Sequence, residues 1–355
     1  MKFALMLGGT LLGVFLGLFP GPFGRPKPLW WRILAISVVA ATTILGLLPP
    51  IGGSMTDAVI QGRADSTKSV PVYIRTQPSK AVADEHGTVL IPATDARASN
   101  VRVMLRAFAP VAQELRDAGD ETAVIVHVRR AESDLVFQAD AVVAVDPLIT
   151  LPYIMGLEER ARIIFFHVPM SWVAVIAYLI AMIFAVRFLR TRDLQHDDMS
   201  MAAASVGTLY AILATVTGAV WAKFNWGSFW NWDPRETSIF VLLLVYAAYF
   251  LLRNSIDDPD RRARLSAAYS IVAFVTVPFL IFILPRLLPG LHPGSSDDSN
   301  VGPLLSPRSD AINPTKQLLF GLSLFSFTLI YFWLMNLRVR LARVQRSVNA
   351  LPEKS

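Results

Sequence analysis

The chain has 355 residues, 54% of them hydrophobic and only 17% charged, with a formal net charge of +6. A mean hydropathy of +0.47 is too apolar for one soluble domain of this length and marks an integral membrane protein. There is no cysteine, which excludes intrinsic disulfides, thiolate metal sites and a thiol relay, and the basic surplus follows from membrane-flanking loops, so nucleic acid is not needed to explain it.

Apolar runs of roughly 20 residues, enough to cross a ~30 Å hydrocarbon core as helix, fall at 3–20, 33–50, 163–186, 201–221, 234–252, 266–288 and 317–336. The first, MKFALMLGGTLLGVFLGLFPG, also fits a secretory signal peptide, although Arg25, Lys27 and Arg32 would then follow on the wrong face. The loops 21–32, 187–199 and 253–264 and the tail from 337 carry fifteen Lys and Arg, against five in the loops 222–236 and 285–316. Basic loops stay cytoplasmic, so the C-terminus is expected inside and the segments around Trp226 and His292 outside.

Residues 52–160 differ from the rest, with charged residues and Ser and Gly among short apolar runs. SVPVYIRT, GTVLIPA, TAVIVHVRR and DLVFQADAVVAV have the alternation of strands, and ASNVRVMLRAFAPVAQELRDAG has helical spacing with a glycine stop. The expected fold class is an all-α polytopic membrane protein of six to seven transmembrane helices with a small α+β soluble insertion on the outer side. Its parts are two N-terminal hydrophobic spans (1–51), the extracytoplasmic insertion (52–160), a membrane bundle (161–340) and a cytoplasmic tail (341–355).

The outer loops of the bundle concentrate unusual residues. Trp221, Trp226, Trp230 and Trp232 lie close together in WAKFNWGSFWNWDPRETS, with Phe224 and Phe229 between them. Such a stretch fits an interfacial aromatic belt and equally a platform for a planar apolar ligand; if helical, Trp226 and Trp230 would share a face. Asp233, Pro234 and Glu236 spell an N-cap, a proline at N1 and the reciprocal carboxylate at N3. Arg235 beside them has no capping duty and suits an anion.

Five histidines complete the set. His86 and His127 in the insertion and His196 in an inner loop read as solvated or internally satisfied. His167, in RIIFFHVPMSW at the outer end of a span, is different, because an ionisable residue there is a functional hypothesis by default; Pro169 is expected to loosen the helix beside it. His292 sits on the same side in LLPGLHPGSS, flanked by Pro289, Gly290, Pro293 and Gly294. Two neutral imidazoles around an aromatic platform are what axial ligation of a haem iron requires, while zinc would want further ligands. Arg162 and Arg235 are plausible counter-charges for propionates.

In this order, RIIFFHVPMSW, VTGAVWAKFNWGSFWNWDPRETS and LHPGSS resemble the CcmC (heme exporter protein C) family of cytochrome c maturation, within the tryptophan-rich haem-handling superfamily that also includes CcsA and ResC. The resemblance covers roughly residues 150–340. It implies that haem b is held transiently at the outer face of the bacterial inner membrane, with His167 and His292 as axial ligands. Trp221, Trp226, Trp230, Trp232 and Asp233 would then belong to the platform, and Arg162 and Arg235 would contact the propionates. It further implies delivery to a periplasmic haem chaperone, an ATP-binding-cassette complex as partner, and no enzymatic turnover. Two features depart from the family pattern. The extra apolar run and the insertion are unexplained by it, and WDPRET is closer to CcsA-type synthase subunits, which attach haem to apocytochrome. Those carry more membrane histidines, whereas here only His167 lies within a span.

Overall fold

The structure, a computed structural model, describes residues 2–19, 23–48, 52–83, 87–96, 101–147, 159–292, 295–296 and 314–349. His86, Pro293 and Gly294 lie outside the described residues. The chain forms two compact units, one of residues 1–45 with 163–355 and one of residues 46–162.

In the first unit the apolar runs become α1 (Lys2–Leu18), α2 (Leu29–Leu47), α5 (His167–Thr191), α6 (Leu194–Trp226), α7 (Pro234–Asn254), α8 (Pro259–Pro278), a π turn (Phe279–Ile283), α9 (Leu284–Leu287) and α10 (Pro314–Asn349). Among the described residues, six helical segments are long and apolar enough to cross a membrane: Leu29–Leu47, Arg160–Thr191, Leu194–Trp226, Pro234–Asn254, Pro259–Leu287 and Lys316–Val348. The seventh candidate, α1, has 17 residues and rises only ~26 Å at 1.5 Å per residue. It lies along α10 through Gly9, Gly13 and Gly17, where side chains would collide with Gly321, Thr328 and Phe332, a small-residue stripe of the kind that lets membrane helices approach closely. α6 and α8 begin ahead of their apolar runs, each behind an aspartate cap. α6 starts at Leu194 because the Asp193 carboxylate accepts from the Gln195 amide at 2.9 Å, well before the apolar run opens at 201.

The packing of α5 on α6 is equally close, with Ala174, Ala177 and Ala181 of α5 and Ala203, Ala211 and Ala214 of α6 buried in one core. Tyr178 stacks on Tyr246 of α7 with centroids 3.6 Å apart. At the end of the bundle remote from His167, Arg253 of α7 grips Asp197 of α6 through two bonds of 2.7 and 2.8 Å, and Arg346 of α10 pairs with Asp198. Bidentate geometry offsets the desolvation of the buried Arg253–Asp197 pair, and the two pairs tie the helix ends together.

The second unit contains α3 (Met55–Ala64), β1 (Val70–Thr76), β2 (Val82–Ala83), β3 (Val89–Asp95), β4 (Arg102–Ala107), α4 (Ala109–Ala118), β5 (Ala123–Ser133) and β6 (Val136–Val145). β1 pairs with both β5 and β3, β3 with β4, β4 in parallel with β6, and β6 with β5, so the sheet closes on itself with α4 between its third and fourth long strands. This is a five-stranded Greek-key barrel of the OB kind, in which closure removes exposed strand edges. Alternate residues fill it: Val72 and Ile74, Ile91 and Ala93, Val103 and Leu105, Val124 and Val126, and Phe137, plugged by Leu115 of α4 and Met55 of α3.

The helix expected over 98–119 is half strand. Val103, Leu105 and Ala107 are buried while their neighbours are not, so the period of two across VRVMLRA prevails, and Pro110 opens the helix only at Ala109. Its stop is as expected, at Gly119 with φ of 84°. α3 has no counterpart among the expected elements, although Ser54 and Asp57 form a complete capping box.

Candidate functional site

His167 begins α5. Pro169 therefore stands in the first turn, where its missing N–H removes no intrahelical bond, so it does not loosen the helix as expected. The imidazole lies against the last turns of α6. Its Nδ1 is 2.8 Å from the Ala214 carbonyl and 3.3 Å from Thr217 Oγ1. A carbonyl only accepts, so Nδ1 carries the hydrogen and the lone pair of the neutral ring is on Nε2. Gly218 makes this seat possible, because a Cβ there would stand 2.9 Å from Cε1 and 3.3 Å from Nδ1 of His167. Gly218→Val is expected to displace the ring and remove any absorbance that depends on its ligation. Gly8→Ala, where an added methyl meets nothing within 4 Å, is expected to leave it intact; an unchanged spectrum in Gly218→Val would show that ring placement is immaterial.

The start of α7 holds the second histidine. Asp233 is its N-cap and Glu236 completes the capping box, with Pro234 at the first helical position, as the sequence pattern dictates. Asp233 also does what no local pattern announces: its Oδ1 accepts from His292 Nδ1 at 2.7 Å and its Oδ2 from the Leu291 amide at 2.7 Å. Burial alone would raise its pKa, but the hydrogen bond from His292 and the amides of Arg235 and Leu291 hold it at about 2. An ionised carboxylate fixes Nδ1–H of His292 and again leaves Nε2 as the free lone pair, the arrangement by which an outer carboxylate orients a ligating histidine. Gly290 lets the loop come this close, since a Cβ would stand 2.7 Å from Asp233 Oδ2.

The tryptophans fall into two groups. Gly227, with φ of 81°, caps α6 directly after Trp226, so Trp226 and Trp230 do not share a helical face. Trp226 stands edge-on to Trp221 at 5.1 Å and to His292 at 4.7 Å, and Trp221 lies 6.4 Å from His292. Trp230 packs edge-on with Trp232 at 5.9 Å and with Phe240 at 6.3 Å. The Glu236 carboxylate pins this loop by accepting from the amides of Asn231 at 2.7 Å and Asp233 at 3.3 Å. Trp232 is held at φ of 55°, a conformation costly for a bulky residue and found where surroundings overdetermine it; it is 70% exposed.

Ala214, Gly218 and Trp221 are spaced i, i+4, i+7 and share one face of α6. His167 meets the first two and His292 the third, so both imidazoles front the same stretch of helix, about 10 Å long at 1.5 Å per residue. Each presents Nε2, and Trp221 and Trp226 line the His292 side. Arg235 stands in the first turn of α7. Those residues suit a planar aromatic ligand with a metal that takes two imidazoles.

His196 and His127 have structural surroundings. His196 Nδ1 is 3.0 Å from Thr191 Oγ1 and its ring stacks on Phe184, and His127 occupies the register of β5 opposite Pro71 and Ala141. Arg162 belongs to the second unit, where its guanidinium donates to the carbonyls of Gly46 at 3.3 Å and Leu48 at 2.8 Å.

The family model of CcmC, Heme exporter protein C, matches residues 126–352, which takes in both histidines and every tryptophan of the site. The chain belongs to the CcmC family. Heme exporter protein C of Bradyrhizobium diazoefficiens is 34% identical over 121 residues, 34% of this chain and 46% of that protein. That of Rhodobacter capsulatus is 28% identical over 203 residues, 57% of this chain and 81% of that protein. The cytochrome c biogenesis protein CcsA of Prochlorococcus marinus is 42% identical over 85 residues, 24% of this chain and 27% of that protein. The chain spans about half the length of the first curated relatives it matches, 46% of the Bradyrhizobium protein and 56% of one from Paracoccus denitrificans. The CcmC match begins inside β5, so the barrel up to residue 125 is an addition to the matched segment.

Proposed function

We propose that this multi-pass membrane protein handles haem for cytochrome c biogenesis, holding haem b at the outer face of a bacterial inner membrane and delivering it to a periplasmic haem chaperone. One observation carries the reading: two histidines from distant parts of the chain front the same face of α6 with Nδ1 engaged on Ala214 and Asp233, each leaving Nε2 for an axial position. His167 and His292 bind the iron, and Trp221, Trp226, Trp230 and Trp232 with Asp233 frame the porphyrin. Arg235 serves the propionates. An ATP-binding-cassette complex is the partner that the family name implies. The chain binds and hands over its cargo without turning over a substrate. Basic residues crowd the end of the bundle remote from the site, which supports a cytoplasmic C-terminus.

The identity to CcsA over 85 residues supports a second reading, a synthase subunit that positions haem for attachment to apocytochrome. Partner dependence separates the two. With the chaperone co-expressed, haem is expected to accumulate on the chaperone. Holocytochrome formed in cells lacking any chaperone would instead establish the synthase reading.

A further inference from the structure

At the end of the bundle remote from His167, α10 outruns the membrane core. Its 36 residues rise ~54 Å at 1.5 Å per residue, against a hydrocarbon core of ~30 Å. The apolar run ends at 336 and Arg338, Arg340, Arg343 and Arg346 follow, so the last turns pass through the headgroup layer. There they meet the first turn of α6. The Arg343 guanidinium donates to Gln195 Oε1 at 3.3 Å, and that of Arg346 to the Leu194 carbonyl at 3.2 Å. Gln195, Arg343, Arg346 and Ser347 line one cavity of about 280 Å3 between the two helices.

No carboxylate lines that cavity, and those close by have other duties. Asp197 is gripped by Arg253, Asp198 pairs with Arg346, and Asp193 caps α6. Among the described residues Arg343 has a neutral partner, Gln195, and its Nε is buried without a hydrogen-bond acceptor. Gln195 gives its oxygen to Arg343 and keeps its NH2 to donate. Two guanidinium forks and an amide around one cavity are donors that match the oxygens of a phosphate.

A second feature selects the kind of phosphate. Leu337, Leu341, Val344 and Val348 are 43–60% exposed. They are spaced i, i+4, i+7 and i+11, so they form one apolar stripe that runs beside Arg343 and Ser347 along the same turns of α10. A free phosphate has no use for such a stripe, whereas an acyl chain lies along it. Basic pockets between membrane helices hold anionic headgroups in this way.

We propose that Gln195, Arg343 and Arg346 form a headgroup site for an anionic phospholipid, whose chains run along the stripe of α10. The proposal is independent of the haem reading. The test titrates the purified full chain in detergent with dioctanoyl phosphatidylglycerol, dioctanoyl phosphatidylcholine and inorganic phosphate, and reads affinity from the rise in unfolding temperature. Wild type is expected to bind phosphatidylglycerol at least about tenfold more tightly than either of the others, the size of one charge-assisted contact. Arg343→Gln should lose about that factor for phosphatidylglycerol and nothing for phosphatidylcholine, and Arg343→Lys should recover part of it. Arg261→Gln, which removes an exposed arginine in the first turn of α8, should change nothing.

Equal affinity of the wild type for the two lipids overturns the site without reference to any variant. Inorganic phosphate that binds as tightly as phosphatidylglycerol overturns the lipid as occupant. Equal losses in Arg343→Gln and Arg261→Gln would show diffuse surface charge in place of a site. Should Arg343→Gln fail to fold, Gln195→Ala decides, because it trims an exposed side chain and keeps the backbone amide on its Asp193 cap; unchanged affinity for phosphatidylglycerol in that variant overturns the site as well.

Discussion

The purified chain loaded with haem is expected to show a low-spin spectrum that His167→Ala and His292→Ala each destroy and His127→Ala and His86→Ala leave intact. Low spin requires two strong-field axial ligands, so loss of either imidazole is as visible as loss of both. Both rings are held by Nδ1, His167 on the Ala214 carbonyl at 2.8 Å and His292 on Asp233 at 2.7 Å. Their orientation is thus set before any ligand arrives. His127 sits in a barrel strand of the other unit, paired in register with Pro71, and serves as a control for the mere removal of an imidazole. An unchanged spectrum in the first pair of variants would end the axial-ligand assignment.

Asp233→Asn should separate the two duties of that residue. Asparagine caps a helix about as well as aspartate, but its Nδ2 would face one of the donors that the two carboxylate oxygens now accept from, so stability should fall by about 1–3 kcal/mol. The neutral amide also cannot supply the charge that orients and enriches His292, and loss of such an outer partner typically costs about 10- to 100-fold in metal affinity. Haem affinity is expected to fall within that range. Glu236→Ala makes the complementary case, since its carboxylate secures the amides of Asn231 and Asp233 and touches neither histidine. It should cost about 1 kcal/mol of helix start and shift the tryptophan loop. Matching losses of stability and affinity in both variants would mean that Asp233 acts only as a cap.

Much of this was legible in the chain because it is local. Pro234 and Glu236 around Asp233 announce a helix start whatever lies nearby, and Gly119 announces a stop. Local patterns misled where two periods competed. VRVMLRA fits a helix or a strand by composition, and only its neighbours β3 and β6 supply the hydrogen bonds that select the strand. The tryptophan stretch misled for a related reason, since Gly227 breaks the helix that would have aligned Trp226 with Trp230. Barrel closure was not legible, because pairing of β1 with β3 and β5 is a long-range choice.

The sequence by itself determined that this protein lives in a bilayer, since roughly 20-residue apolar runs and biased basic loops follow from solvation alone. It also determined where α7 begins and which histidines are unusual, because both depend on near neighbours. Only the tertiary structure decided that His292 is bound to Asp233, 59 positions away, and that Gly218 makes room for His167. Those are contacts between segments remote in the chain, and their geometry depends on how closely backbones approach, which no spacing along one strand or helix records.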